Sequence, residues 1–141
     1  MIGIIITGHG HFATGIQSTI KLLSGDQDKL IAIDFEEGMT ADQLQERFKT
    51  AVSDLGEITG LAFFTDIPGG TPFNQAVMYK TAHDAVTVLS GTNVSMIMEV
   101  LFQRELNVDQ FEQAAITAGQ SGVVAFKQTE RQTPDDDEDG I

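Results

Sequence analysis

Residues 2–11 read Ile-Gly-Ile-Ile-Ile-Thr-Gly-His-Gly-His, a β-branched apolar run that ends abruptly in glycine and histidine. Continuous hydrophobicity over residues 2–7, without alternation, predicts a strand buried on both faces, as in a parallel sheet. Three similar short runs follow it along the chain. They occupy residues 30–35, 61–65 and 85–89. Because segments of helical period separate these runs, the sequence predicts an α/β fold: an open, doubly wound sheet of four parallel strands with helices on both faces.

The predicted helices follow from apolar residues at helical spacing. The clearest covers residues 41–55, with Leu44, Phe48 and Leu55 on one face, Thr40 as its N-cap and Gly56 as its stop. The others are predicted around residues 16–23, 73–81 and 94–104 and from about residue 109 onward, with residues 123–126 as a short final strand.

Length and charge narrow the classes of protein. The 141 residues fit one domain, and 21 acids against 8 bases give a net charge of −13. A polyanion is disfavoured on nucleic acid and on anionic membranes, whereas a basic protein partner remains open. Six acids and one base fall within residues 130–141, which we predict to be an acidic disordered tail after a folded domain of residues 1–129. The absence of cysteine fits a cytoplasmic location.

Two loops after predicted strands carry residues suited to chemistry, at the edge where open α/β sheets bind ligands. The first holds His9 between Gly8 and Gly10. Imidazole is a good neutral nucleophile near pH 7, and the start of the next helix suits an anion such as a phosphoryl group. The alternative for His9 is a structural histidine held by a backbone carbonyl. Its position at a strand end between two glycines favours function, with Gly8 and Gly10 admitting a phosphoryl group.

The second loop follows the third predicted strand and begins at Asp66. If the first and third strands are neighbours, Asp66 accepts a hydrogen bond from one ring nitrogen of His9 and leaves the other free to attack. The alternative is an aspartate that only caps a turn. Gly69, Gly70 and Thr71 then offer backbone N–H groups and a hydroxyl to phosphoryl oxygens.

The sequence lacks the residues that several other classes of functional site require. His11 is predicted to lie at the rim, and a His-x-His metal pair with His9 has no third ligand at recognisable spacing, so neither a metal nor a cofactor is expected. Neither loop contains a lysine or arginine, and the chain has no phosphate-binding loop motif for nucleotides and no serine nucleophile elbow. The remaining chemistry is phosphoryl relay through a histidine.

Three segments carry a resemblance to a known family: residues 4–10 (IIITGHG), 33–35 (IDF) and, most specifically, 65–74 (TDIPGGTPFN). Together they resemble the enzyme IIA component of the mannose family of the bacterial sugar phosphotransferase system (PTS), over about residues 1–127. Residues 8–15 (GHGHFATG) are most similar to the amino-sugar, N-acetylgalactosamine-like branch, and the gluconate-type and mannose-type branches are the alternatives. The chain departs from the family pattern in its acidic tail and in His11, where an aromatic residue can occur.

The resemblance implies a cytoplasmic phosphotransferase. In it, phospho-HPr phosphorylates His9 on Nε2, Asp66 orients the ring, Thr71 matches a loop hydroxyl, and the group passes to enzyme IIB. The membrane components IIC and IID take part indirectly. It also implies a homodimer that exchanges the strand at residues 123–126. Many relatives continue into an enzyme IIB domain, and because this sequence stops before one, we expect enzyme IIB on a separate chain. Two alternatives remain: a phosphocarrier feeding dihydroxyacetone kinase, and a non-catalytic module that senses an anion or metabolite.

Overall fold

Four parallel strands alternate with helices, as the apolar runs predict. The computed structural model describes residues 1–128; the predicted acidic tail at 130–141 lies outside the described residues. The elements are β1 (Ile2–His9), α1 (Phe12–Ser24), β2 (Leu30–Phe35), α2 (Ala41–Leu55), β3 (Gly60–Thr65), α3 (Thr71–Ala82), β4 (Val86–Leu89), α4 (Val94–Val100) and α5 (Val108–Ser121). Among the described residues, no helix combines the length and apolarity needed to cross a membrane.

The strands lie in the order β2-β1-β3-β4, so β1 and β3 are neighbours at the centre of the sheet. Thr7 of β1 lies opposite Thr65 of β3, and Gly8 lies opposite Asp34 of β2. The chain leaves β1 toward one edge to form β2 and reaches the other edge through β3 and β4. The crevice between the ends of β1 and β3 is therefore the point where strand order reverses, the usual ligand position in such sheets.

Two hydrophobic cores cover the two faces of the sheet. Ile4 and Ile6 of β1 point into a core with Phe111 of α5, while Ile5 points into the other core with Phe48 of α2. Successive strand residues face opposite sides, so both faces of β1 must be apolar. This requirement explains the unbroken apolar run at residues 2–7.

Helix α2 begins and ends where the sequence predicts. The Thr40 side chain accepts a hydrogen bond from the Gln43 N–H, and the Gln43 side chain accepts one from the Thr40 N–H, which forms a capping box. Gly56, with φ of 74°, follows its last residue.

The prediction that the fourth helix extends to residue 104 is wrong, because α4 ends at Val100. Arg104 is instead buried, and its guanidinium donates to the carbonyls of Ile2, Asp28 and Lys29 at 2.6–3.0 Å. Burial lowers the pKa of Arg104, and the nearby charges of Asp28 and Glu105 oppose that shift. These contacts tie the amino end of β1 to the turn before β2.

Residues 123–128 form no strand in the single chain. Val123, Val124 and Phe126 are exposed there, since a strand needs a neighbouring edge to pair with. The prediction of a short strand is therefore wrong for the chain alone, while its exchange with a second copy stays a prediction.

Candidate active site

His9 and Asp66 meet at the crevice between β1 and β3. His9 is the last residue of β1, and Asp66 follows β3 directly. One carboxylate oxygen of Asp66, Oδ2, lies 2.7 Å from Nδ1 of His9 and accepts the His9 backbone N–H at 2.9 Å. The same oxygen therefore fixes both the backbone and the ring of His9. With a proton on Nδ1, the ring keeps its lone pair on Nε2.

The Asp66 carboxyl is held in its charged form. Burial alone would raise its pKa, since its side chain is only 15% exposed. Hydrogen bonds from the backbone and ring of His9, helped by the backbone of Ile67, outweigh burial and lower the pKa below 3.8. Asp66 is therefore ionised at neutral pH and acts as an acceptor for the ring N–H.

Two glycines allow the close approach that this geometry requires. A Cβ added at Gly70 would lie 2.6 Å from Cε1 and 3.2 Å from Nε2 of His9. A Cβ at Gly8 would lie 2.6 Å from the Phe12 ring and 3.0 Å from Cγ of Asp66. Contacts shorter than 3.0 Å are too close for carbon atoms. Gly70, with φ of −80°, is thus required for space and not for backbone conformation.

Gly10 and Gly69, in contrast, are required for backbone conformation and not for space. Their φ values are 59° and 83°, in the left-handed region, and an added Cβ would contact nothing within 4 Å. The N–H of Gly10 donates to the carbonyl of Phe35 at 2.8 Å. That Gly10 admits a phosphoryl group stays a prediction: Gly10 provides a turn and open space, and its own N–H already donates to Phe35.

The loop after β3 leads into the N-terminus of α3. Gly70 is the N-cap, Thr71 begins the helix, and Pro72 lies in its first turn. The side chain of Asn74 donates to the Gly69 carbonyl at 3.0 Å and holds the loop against the helix. The first N–H groups of a helix have no partner within it, and they give its N-terminus positive potential. His9 therefore faces a helix start suited to a phosphoryl group.

The end of β2 adds residues to the rim that the sequence interpretation left out. Both carboxylate oxygens of Asp34 accept from Thr14 of α1, at 3.0 Å from its N–H and 2.7 Å from its hydroxyl. Asp34 thus satisfies the N-terminus of α1 from a neighbouring strand. The Phe35 ring lies edge-on to His9, with ring centroids 6.0 Å apart. The acidic loop after β2, next to β1, was the signal that could have predicted this contribution.

His11 lies at the rim, where the sequence predicts it, but it is not isolated. Its Nε2 lies 2.6 Å from Oε2 of Glu36, and the two side chains are 73% and 55% exposed. The loop after β4 has a supporting role, because the N–H of Gly91 donates to the Asp66 carbonyl at 2.8 Å. Of the predicted site residues, the structure brings together His9, Asp66, Gly8 and Gly70.

Comparisons with a family model and with known proteins identify the same family. Residues 3–117 match the EIIA-man family model, described as "PTS system fructose IIA component". The chain is 34% identical to the fructose-specific EIIA component of the PTS of Bacillus subtilis (strain 168), over 74% of this chain and 72% of that protein. It is 32% identical to the mannose-specific EIIAB component of Escherichia coli (strain K12), where the match covers 89% of this chain and 40% of that longer protein.

Solved structures agree with this result. The EIIA component from Streptococcus agalactiae superposes with a TM-score of 0.82 at 34% identity, covering 89% of this chain and 97% of that one. The mannose/sorbose-specific IIA subunit from Enterococcus faecalis gives 0.83 at 22% identity, over 92% and 98% of the two chains. The second likeness shows the shared fold.

Proposed function

Because the chain belongs to the EIIA-man family of phosphotransferase system components, we propose that it carries a phosphoryl group on His9, from phospho-HPr to enzyme IIB, during sugar uptake. Members of this family are phosphotransferases. The observation that carries the assignment to His9 is the 2.7 Å contact of Nδ1 with Asp66, which leaves Nε2 facing Gly70.

The transfer step follows from this arrangement. The lone pair of Nε2 attacks the phosphorus, the new N–P bond forms, and the bond between phosphorus and the HPr side chain breaks. The Nδ1 proton stays on the ring and donates to Oδ2 of Asp66. The ring becomes cationic as the bond forms, so the ionised carboxylate stabilises the transition state more than the ground state. Transfer to enzyme IIB reverses these steps on a second partner.

The oxygens of the transferred group need donors and a counter-charge. We assign the donors to the Gly69–Gly70–Thr71 segment at the start of α3. The loops containing His9 and Asp66 have no lysine or arginine, and Asp34 and Glu36 lie at the rim. Positive charge must then come from the docked partner, and we expect phosphotransfer to slow as salt rises.

The experiment that tests this function starts from phosphoenolpyruvate, enzyme I and HPr. Intact-protein mass spectrometry should show the gain of one phosphoryl group that is lost in acid, and fragmentation should place it on His9. A His83→Gln variant is the matched control and should be labelled normally, because His83 stacks on Tyr79 away from this crevice. No labelling, as expected of a module that only senses an anion, or labelling at His11 would reject the proposal.

A panel of acceptors tests the second half of the reaction. The labelled protein is mixed with enzyme IIB proteins of the amino-sugar, mannose and gluconate types and with dihydroxyacetone kinase. The similarity of residues 8–15 to the amino-sugar branch leads us to expect the fastest transfer to that type of enzyme IIB. Transfer to the kinase alone would show that the chain feeds dihydroxyacetone phosphorylation instead.

We also propose a homodimer in which residues 123–126 pair with the sheet of a second copy. The exposed Val123, Val124 and Phe126 support this proposal, since a strand of apolar residues gains stability from such pairing. Analytical ultracentrifugation should give twice the chain mass. A chain ending at residue 122 should sediment as a monomer, and an unchanged dimer would place the interface elsewhere.

A further inference from the structure

We propose that His11, Asp34 and Glu36 form a binding site for one divalent first-row transition-metal ion, such as Zn²⁺, at the rim of the crevice. One ligand atom from each of these side chains lies within 4.8 Å of the others. The site is separate from the His9 ring, because the Nδ1 atom of His9 is held by Asp66 and its Nε2 faces Gly70. The inference does not rest on the proposed function.

The topology assembles these ligands from two distant segments. His11 lies in the turn after β1, whereas Asp34 belongs to β2 and Glu36 follows it. Parallel pairing places Gly8 opposite Asp34 and His9 opposite Phe35, so the segments after β1 and β2 leave the sheet at the same edge. The Gly10–Phe35 backbone hydrogen bond joins the two turns. Sequence spacing could not reveal a third ligand, because two of the three come from the next strand.

Each ligand is already oriented toward the others. The hydroxyl and N–H of Thr14 hold the Asp34 carboxylate, the kind of outer hydrogen bonding that orients metal-binding carboxylates, and each carboxylate oxygen keeps another lone pair. His11 and Glu36 are exposed and approach to 2.6 Å. Ligand distances of about 2.0–2.2 Å separate tetrahedral donors by roughly 3.4 Å. Small rotations of the two exposed side chains are therefore enough to close the site around Asp34.

The donor set and charge select the kind of ion. One imidazole nitrogen and two carboxylate oxygens suit Zn²⁺ and related ions, whereas Mg²⁺ and Ca²⁺ prefer sites made of oxygen alone. Two carboxylates balance the charge of a divalent ion. The positive end of α1 opposes a cation, but Asp34 already takes its N–H group at Thr14. A fourth position remains open to water or to an incoming oxygen ligand.

The simpler reading is an exposed ion pair between His11 and Glu36. Such a pair contributes at most about 1 kcal/mol and has no need of Asp34 as a third side chain. The two readings differ in one measurable property: only a metal site gives saturable binding that depends on all three side chains.

The test uses the untagged full chain and Zn²⁺ alone, measured by isothermal titration calorimetry at neutral pH. We expect one ion per chain, an affinity about tenfold or more weaker in His11→Gln and in Asp34→Asn, and no competition from excess Mg²⁺. His83→Gln is the matched control, since it also removes an exposed histidine, and its affinity should equal that of the native chain. Circular dichroism confirms that each variant is folded.

Nitrogen NMR of the three imidazole rings locates the ion directly. On adding Zn²⁺ the ring signals of His11 should shift, and those of His9 and His83 should stay in place. The proposal is overturned if no saturable binding occurs, if His11→Gln binds as tightly as the native chain, or if another ring shifts instead. Because none of these measurements involves phosphotransfer, the outcome is independent of the proposed function.

Discussion

At the carboxyl end of the sheet, His9 and Asp66 contact each other near solvent; at the amino end, the guanidinium of Arg104 is buried and donates to backbone carbonyls. Both ends hold β1 to its neighbours with short hydrogen bonds. The two ends differ in whether an atom remains free to react once these hydrogen bonds have formed. Nε2 of His9 is left facing Gly70, whereas Arg104 makes four hydrogen bonds to backbone carbonyls with its five N–H donors. The first end can therefore react, and the second can only stabilise.

Replacing His9 is expected to give the largest effect at the carboxyl end. His9→Gln removes the proposed nucleophile, so labelling from phospho-HPr should fall below detection while the circular dichroism spectrum and the thermal midpoint stay close to native. A variant that still accepts an acid-labile phosphoryl group would show that this end is not the reactive one.

Replacing Arg104 disturbs the other end. Arg104→Met keeps the apolar stem but leaves the carbonyls of Ile2, Asp28 and Lys29 without their donor, and we expect a loss of about 3 kcal/mol in the free energy of unfolding. Urea unfolding measures it. The labelling rate of the folded variant should be unchanged, and a slower rate would mean that the two ends are coupled.

Asp66 lies at the same end of the sheet as His9 and, in the proposed mechanism, acts through the His9 ring. Asp66→Ala frees the ring and removes the charge that stabilises it, and we expect labelling to slow by about 100-fold without being abolished. Rapid-quench kinetics give the rate, and nitrogen NMR should show the Nδ1–H tautomer losing its preference. If rate and tautomer both match the native chain, Asp66 is only a turn residue.

Gly69 and Gly70 allow effects on reaction rate and on stability to be compared within one loop. Gly70→Ala places a methyl 2.6 Å from the His9 ring and should slow labelling by about tenfold, because the ring must tilt. Gly69→Ala meets no atom but has a φ of 83°, so it should cost about 1 kcal/mol of stability and leave the rate unchanged. Equal effects of the two changes on rate would contradict the close-approach argument.

The smallest expected effect is on stability against pH. The pKa of Asp66 is lower in the fold than its ordinary 3.8, so its charged form stabilises the folded protein above that pH. This contribution is lost as pH falls through the folded-state pKa. The native chain should have a higher free energy of unfolding than Asp66→Asn at neutral pH, and this difference should shrink as the pH falls below about 3.8. A difference that grows in acid would show that the carboxyl is protonated in the fold.

The sequence predicts the reactive end better than the stabilising one. Unbroken apolar runs locate all four strands, and glycines beside His9 and Asp66 mark the crevice, because these features are local along the chain. The role of Arg104 could not be predicted from the sequence, because the carbonyls that it contacts belong to residues far from it along the chain. The contact of His11 with Glu36 was missed for a related reason: it exists only once β1 and β2 are paired.

The Arg104 contact also bears on synthesis at the ribosome. The carbonyl of Ile2 accepts from a side chain 102 residues later, and the N–H of Ile2 donates to the carbonyl of the same arginine. At roughly 5–20 residues per second, on the order of 10 s separates the making of these two residues. The first strand to be synthesised, which is also one of the two central strands, therefore completes its hydrogen bonding only after about three quarters of the chain has been made.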